Sequence, residues 1–346
     1  MAHYRYLIVG GGMTADAAAR GIRSVDDAGS VGLVAAEEYP PYDRPPLSKG
    51  LWTGGDEERI WRGTADLGVD VHTGRRGVRL DREERTLTDD RGTVFSYDRL
   101  LLATGGSPRK LDDAVPQVNY FRTYDDFRRL RDAAARSSRF AVVGGGFIGS
   151  EIAAALRSNG KEVTVFFPEE GLCGRILPRE LARFLVGYYR DRGVDVRPET
   201  LVSSVRRSGD EFLVSGKDED GKPLRVDGVV AGLGITPDTS LAESTGLEVD
   251  DGIVVDASFQ TDDPRIWAAG DVAAFYSPIL DRRIRVEHED HANSSGMLAG
   301  RGMAGEPSSY AYLPLFYSDL FDVSYEAVGL LDAEMETVED WIEPHR

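Results

Sequence analysis

Two stretches of the chain repeat one pattern of apolar and polar positions. In the first, the apolar run Leu7, Ile8, Val9 meets three glycines, and "MTADAAARGIRS" then sets small and apolar residues at helical spacing. In the second, Phe140 to Val143 leads into "GGGFIGSEIAAALRS", and a further apolar run spans Glu162 to Phe167. A short apolar run bounded by glycine predicts a buried strand, and the spacing after it predicts a helix. Each stretch therefore reads as strand, tight turn, helix and strand, the opening of a doubly wound sheet. The runs "VGLVAAEE", Leu100 to Ala103 and "PRIWAAG" predict further buried strands, and Asp271 after the last of them is expected to open a helix. Residues 193–230 change character: short strand-like runs separated by polar Gly-Asp turns predict a small antiparallel layer.

The two turns carry the first candidate chemistry. Gly10, Gly12 and Ala15 form a G-x-G-x-x-A pattern, and Gly144, Gly146 and Gly149 form G-x-G-x-x-G. The first glycine allows the bend, the second lets backbone approach a pyrophosphate, and the third small residue lets the helix pack on its strand. Glu37 follows Gly12 by about 25 residues, near the spacing at which an acid meets an adenosine ribose. Glu169 stands in the matching place after the second turn and favours the free 2'-hydroxyl of NAD, while Arg175 nearby keeps NADP open. Two turns so far apart mean two dinucleotides, or a duplication with one idle copy. Ala103, Thr104 and Gly105 in "LLLATGGSPR" mark one crossing between domains, and Gly234 before Pro237 marks the return.

Composition narrows the class. The 346 residues suit two or three domains, and 41% hydrophobic with 29% charged content is ordinary for a globular protein. The lone Cys173 excludes an intramolecular disulfide framework, a dithiol redox pair and a multi-cysteine metal site, and makes the cytoplasm the expected compartment. No signal peptide and no membrane-spanning apolar run is read from the sequence. A net charge of -18 opposes nucleic acid and anionic lipid as partners. Glu289, Asp290 and His291 cluster, but no second set of ligands accompanies them, so no metal is expected. Lysine is scarce, at positions 49, 110, 161, 217 and 222 only, which singles out Lys49 at the end of the proline-bracketed "PYDRPPLSKG".

With "PYDRPPLSK", "FPEEGLCGRILP", "IWAAGD", "VEHEDHA" and "FYSDLFDVSYEAVGLLD" added, the chain resembles the FAD and NAD(P)H-dependent pyridine nucleotide oxidoreductases. Within them it is most similar to the ferredoxin-reductase-like branch that includes apoptosis-inducing factor and its prokaryotic relatives. The resemblance covers essentially the whole chain. It implies an α/β fold with two Rossmann-like domains of the glutathione-reductase type and a short α+β C-terminal domain. FAD is expected on residues 1–110 and 238–305, NAD on 111–237, and residues 306–346 form the last, incomplete domain.

The resemblance also assigns roles. Lys49 stands near flavin N5, where the disulfide reductases of the superfamily carry two cysteines, and pairs with Glu151. A cation there stabilises reduced flavin. Asp271, after Gly270, accepts from ribityl hydroxyls, the competing reading being an ordinary helix N-cap. Phe147 covers the nicotinamide, His288 packs near the isoalloxazine, Arg44, Glu287 and Tyr317 are further cofactor-facing positions, and Glu326 is a candidate nicotinamide contact. Two departures stand out: the family's C-terminal domain normally continues past "EDWIEPHR", and Tyr317 replaces a tryptophan. The implied activity is hydride transfer from NADH to FAD, then electron transfer to an external acceptor such as ferredoxin or quinone, with a homodimer open. An acidic ferredoxin needs a basic face on so acidic a chain, and Arg282, Arg283 and Arg285 are the candidates. The alternative is a redox-responsive binding protein whose NADH-reduced state controls dimerisation or partner choice.

Overall fold

Continuous apolar runs become strands buried on both faces, as a parallel sheet requires. The computed structural model describes residues 1–216, 222–338 and 340. The polar turn expected at 217–221, with its Lys217, and most of the final "EDWIEPHR" lie outside them. The elements that position the site are, in chain order, β1 (Ala2–Val9), α1 (Met13–Arg23), β2 (Val31–Val34), β3 (Val94–Leu102), β4 (Arg139–Val143), α2 (Phe147–Ser158), β5 (Glu162–Phe166), β6 (Gly228–Ala231), β7 (Ile266–Ala268), α3 (Glu289–Ala304), β8 (Leu315–Leu320) and β9 (Val323–Val328).

The chain divides into two units. One comprises Met1–Pro46, Gly54–Ser107 and Ile235–Phe316; the other comprises Leu47–Thr53, Pro108–Gly234 and the residues from Tyr317 on. In the first unit β1 lies between β2 and β3, parallel to both, with Ile8 opposite Leu33 and Leu101. Strand Val69–His72 extends the sheet beyond β2, and β7 pairs in parallel with β3 through Ile266 and Leu100. Strands Thr86–Asp89 and Gly77–Asp81 add an antiparallel edge. Small residues bring α1 against α3, a Cβ on Gly300 having only 2.1 Å to the Ala18 carbonyl oxygen.

In the second unit β5, β4 and β6 form the centre of a five-stranded parallel sheet, flanked by Asp195–Arg197 and Asn119–Tyr120. The expected antiparallel layer is present as Val202–Ser208, Glu211–Gly216 and Leu224–Val226. Its Val205, Phe212 and Val214 pack on Val143 and Phe166 in one apolar cluster.

One expectation is corrected. Asp271 opens no α-helix, only a 3-10 turn over Gly270–Val272, and Ala273–Ser277 continues as a strand. That strand pairs with Ile253–Val255 and Arg282–Ile284 and buries Phe275 completely, so sheet pairing and burial outweigh the alanines. Among the described residues no helix is long and apolar enough to cross a membrane.

Candidate functional site

The two glycine turns are built by the same bonds. Gly10 N–H donates to Val34 O and Ala103 N–H to Val9 O; Gly144 N–H donates to Phe166 O and Gly232 N–H to Val143 O. Each turn thus ties the strand before it to both neighbours. Gly10 has φ 138° and a Cβ there would lie 2.0 Å from the Ala103 carbonyl oxygen; for Gly144 the values are 110° and 2.3 Å from the Gly232 oxygen. No side chain fits either place. The helices that follow start at Gly12 and Gly146 without a side-chain cap. A helix start points its first N–H groups outward along the axis. A Cβ on Gly146 would meet nothing within 4 Å, and one on Gly12 nothing nearer than Arg44 Nη2 at 3.9 Å. Room and a helix N-terminus together fit a pyrophosphate at each helix start. Ala15 is fully buried, and Gly149 passes so near Gly144 that a Cβ would stand 1.9 Å from its oxygen.

An acid closes each turn, and each acid is held. Glu37 accepts from the Tyr42 hydroxyl and from Arg44 Nη2, both at 2.6 Å. Burial works against the Arg44 charge, but Tyr42, Glu37 and Asp271 around it hold its pKa above the ordinary value. Glu169 accepts from Arg175 Nε at 2.5 Å. The next residue, Glu170, is engaged by Arg179 and Arg183 instead.

Lys49 and Glu151 come together in the second unit. Lys49 Nζ lies 3.3 Å from Glu151 Oε1 and 3.7 Å from Asp319 Oδ2, and its side chain is 13% exposed. It also donates to Tyr317 O at 3.4 Å and stands 4.0 Å from the centre of the Tyr317 ring. Glu151 accepts two hydroxyls that the sequence reading did not include, Ser48 at 2.5 Å and Ser318 at 2.7 Å.

Phe147 stacks on Tyr325, with ring centres 6.2 Å apart. Tyr325 is a further residue not expected from sequence, and its neighbour Glu326 points outward and is exposed. Burial pushes the Cys173 thiol up to about 11; Ser150 Oγ is 3.9 Å from its sulfur.

In the first unit His288 stacks on Phe316 at 4.4 Å. Burial holds its pKa down at about 4 against the pull of Asp271, which keeps the imidazole neutral at ordinary pH. His291 is fully buried, shares a hydrogen bond with the Tyr310 hydroxyl at 3.2 Å, and is likewise lowered to about 4 by burial. Thr104 donates to Asp238 O and Gly105 O accepts from Asp238 N, while Gly234 has φ 80° and its carbonyl accepts from Arg109 N–H. Gly270 N–H donates to Ser295 Oγ, and the Asp271 carbonyl accepts from Arg285.

The arginines considered as a basic face are largely committed elsewhere. Arg283 donates to the Val255 and Ala274 carbonyls, and Arg285 pairs with Glu287 at 2.6 Å and Asp251 at 3.3 Å.

Residues 4–296 match the family described as pyridine nucleotide-disulphide oxidoreductase, and residues 299–345 match the C-terminal region of mitochondrion-associated apoptosis-inducing factor. The chain is 36% identical to the ferredoxin--NAD(+) reductase component of the anthranilate 1,2-dioxygenase system of Burkholderia cepacia, over 96% of this chain and 84% of that protein. It is equally 36% identical to a Drosophila melanogaster protein assigned as a mitochondrial apoptosis-inducing factor 1, covering 97% of this chain but 51%, about half, of the length of that protein. Among solved structures, a ferredoxin reductase from Rhodopseudomonas palustris aligns with TM-score 0.88 and 32% identity, over 94% of this chain and 82% of that one. The reductase in a covalent putidaredoxin reductase-putidaredoxin complex aligns with TM-score 0.88 and 31% identity, over 95% and 82%.

Proposed function

We propose that this chain, which belongs to the pyridine nucleotide-disulphide oxidoreductase family, is an FAD-dependent NADH oxidoreductase that hands electrons to an external acceptor of the ferredoxin type. The observation that carries the reading is the doubled turn: two uncapped helix starts, each with room for a pyrophosphate and each followed by an acid. FAD is assigned to the turn at Gly10 and NADH to the turn at Gly144.

Bound FAD supplies a carrier that takes a hydride from nicotinamide and releases electrons singly or in pairs. The chain's part is to bind and orient. The helix starts of α1 and α2, with their N–H groups and the positive ends of their dipoles, hold the two pyrophosphates. Glu169 accepts from a ribose hydroxyl, and Phe147 offers an aromatic face to the nicotinamide. Lys49 supplies the cation that favours negative charge on the reduced ring, with Glu151 balancing it. No residue has to move a proton for the hydride step, which agrees with a His288 kept neutral by burial.

Preference for NADH over NADPH rests on Glu169, and the ferredoxin-type acceptor rests on the relatives. The cytoplasm as compartment rests on the single cysteine, and a homodimer is the assembly to look for by size exclusion. The test is an anaerobic NADH titration of the flavin-loaded protein. The flavin band should bleach at one equivalent of NADH per FAD and return when a ferredoxin or quinone is added. Retention of the oxidised spectrum under excess NADH contradicts the reading.

A further inference from the structure

Glu151 is held by more than its lysine. Its residue is 5% exposed, and a carboxylate so buried requires donors to answer its lone pairs. The shortest answers come from Ser48 Oγ on Oε2 and Ser318 Oγ on Oε1, at 2.5 and 2.7 Å, while Lys49 Nζ stands off at 3.3 Å. Both serines are buried, at 4% and 0% exposure. They arrive from segments far apart in the chain, one directly before Lys49 and the other between Tyr317 and Asp319. Ser318 occupies an inward place on β8 between the buried Phe316 and Leu320, where an apolar side chain is the ordinary choice. A hydroxyl in that row is tolerated because it has the carboxylate to bond.

Two acids compete for the one ammonium: the buried Glu151, and Asp319, whose side chain is 52% exposed. We infer that Ser48 and Ser318 are positioning residues that fix the Glu151 carboxylate by one O–H on each oxygen and thereby hold Lys49 at the buried acid. With the carboxylate free to turn, the ammonium shifts toward Asp319 and solvent, and its cation no longer has one place. The inference rests on the proposed role of Lys49 in flavin reduction.

The test uses the FAD-loaded protein and its variants Ser48→Ala, Ser318→Ala and the double replacement. Anaerobic stopped-flow reduction by NADH gives the limiting rate constant and the NADH dissociation constant separately. Each single variant should lower the limiting rate about tenfold, the order expected for one hydrogen bond to a charged group, with the NADH dissociation constant unchanged. The double variant should approach Lys49→Ala. In a Glu151→Gln background, Ser318→Ala should add no further loss, since the serines act through that carboxylate. Ser48→Thr, which keeps a hydroxyl, should recover most of the rate, and Ser318→Cys, with only a weak donor, should fall in between; both also serve if the alanine variants lose flavin.

Serine variants at the unaltered rate beside a slow Lys49→Ala overturn the inference and leave the proposed function standing. Additive losses in the Glu151→Gln background overturn it too. A Lys49→Ala that reduces at the normal rate overturns the role of Lys49, and the inference falls with it.

Discussion

Removing the Glu169 carboxylate should move the chain from NADH toward NADPH, by an amount the local geometry sets. In the unaltered protein this carboxylate, 23% exposed, stands just past the end of β5 with Arg175 Nε on its Oε1 at 2.5 Å. In the proposed ribose assignment it offers acceptors to a 2'-hydroxyl and repels a 2'-phosphate. A hydrogen bond to a charged group contributes about 1.5–3 kcal/mol, so Glu169→Ala should cost NADH at least about tenfold in kcat/KM. Two phosphate charges about 5 Å from a carboxylate in high dielectric give roughly 1–2 kcal/mol of repulsion, which salt partly screens. Its loss favours NADPH. The Arg175 side chain, 76% exposed and paired with Glu169 by a surface contact of about 0.5 kcal/mol, is also released to meet the phosphate. Together these move the ratio of the two kcat/KM values by about two powers of ten. Initial rates with NADH and NADPH, at saturating ferricyanide and two salt concentrations, measure it, and added salt should weaken the NADPH gain. A ratio within about twofold of the unaltered protein would falsify the ribose assignment and the spacing argument behind it.

Three further outcomes follow from the same geometry. Lys49→Ala should keep FAD and reduce about ten- to a hundredfold more slowly with NADH in stopped flow, since the cation proposed for the reduced flavin is lost; an unaltered rate makes the lysine a bystander. His288 and His291 sit at about 4 in the fold and near 6.5 when unfolded, so the unfolded chain takes up protons first as pH falls and stability drops from about pH 6.5 down to about 4. For the fully buried His291 this amounts to ~3 kcal/mol, and His291→Asn should flatten the loss of urea midpoint between pH 7 and 4; an unchanged slope counts against the buried neutral imidazole. Cys173, buried and raised to about 11, should resist a thiol reagent at pH 8 until the protein unfolds, and fast labelling of the native state contradicts that placement.

The parts of the fold legible in the sequence are those fixed by backbone geometry. Strands β1 and β4 are read from apolar runs because a parallel strand covered on both faces has no polar side to interrupt it. The glycines at 10 and 144 are read because the neighbouring strand ends leave no space for a Cβ, a constraint that acts at fixed sequence spacing. Where local signals were weak, tertiary pairing decided. The five residues from Ala273 have helix-tolerant alanines and no clear period, yet two neighbouring strands claim them. The short segment Leu47–Thr53 groups with Pro108–Gly234, which no periodicity announces. The bond from Asn159 Nδ2 to the Trp52 carbonyl, at 3.0 Å across more than a hundred residues, shows why: a carbonyl acceptor looks the same in every sequence.

The site divides along the same line. Glu37 and Glu169 stand at a set distance from a glycine turn, so spacing alone proposes them. Lys49 and Glu151 have no such ruler, and only a family likeness joins them. Ser48, Ser318 and Tyr325 were reached by neither route, although one trace of Ser318 is present in the sequence. In "LFYSDL" the inward places of a strand fall to Phe316, Ser318 and Leu320, so a hydroxyl interrupts an apolar row. Such a break requires a buried acceptor nearby, and Glu151 is the one glutamate among the buried polar residues described. The alternation of the strand then explains how the pair is held. The outward Tyr317 and Asp319 meet the ammonium of Lys49, while the inward Ser318 meets the carboxylate of Glu151. One strand therefore grips both ends of the ion pair, and a shift of its register by one residue would exchange the two faces and release both.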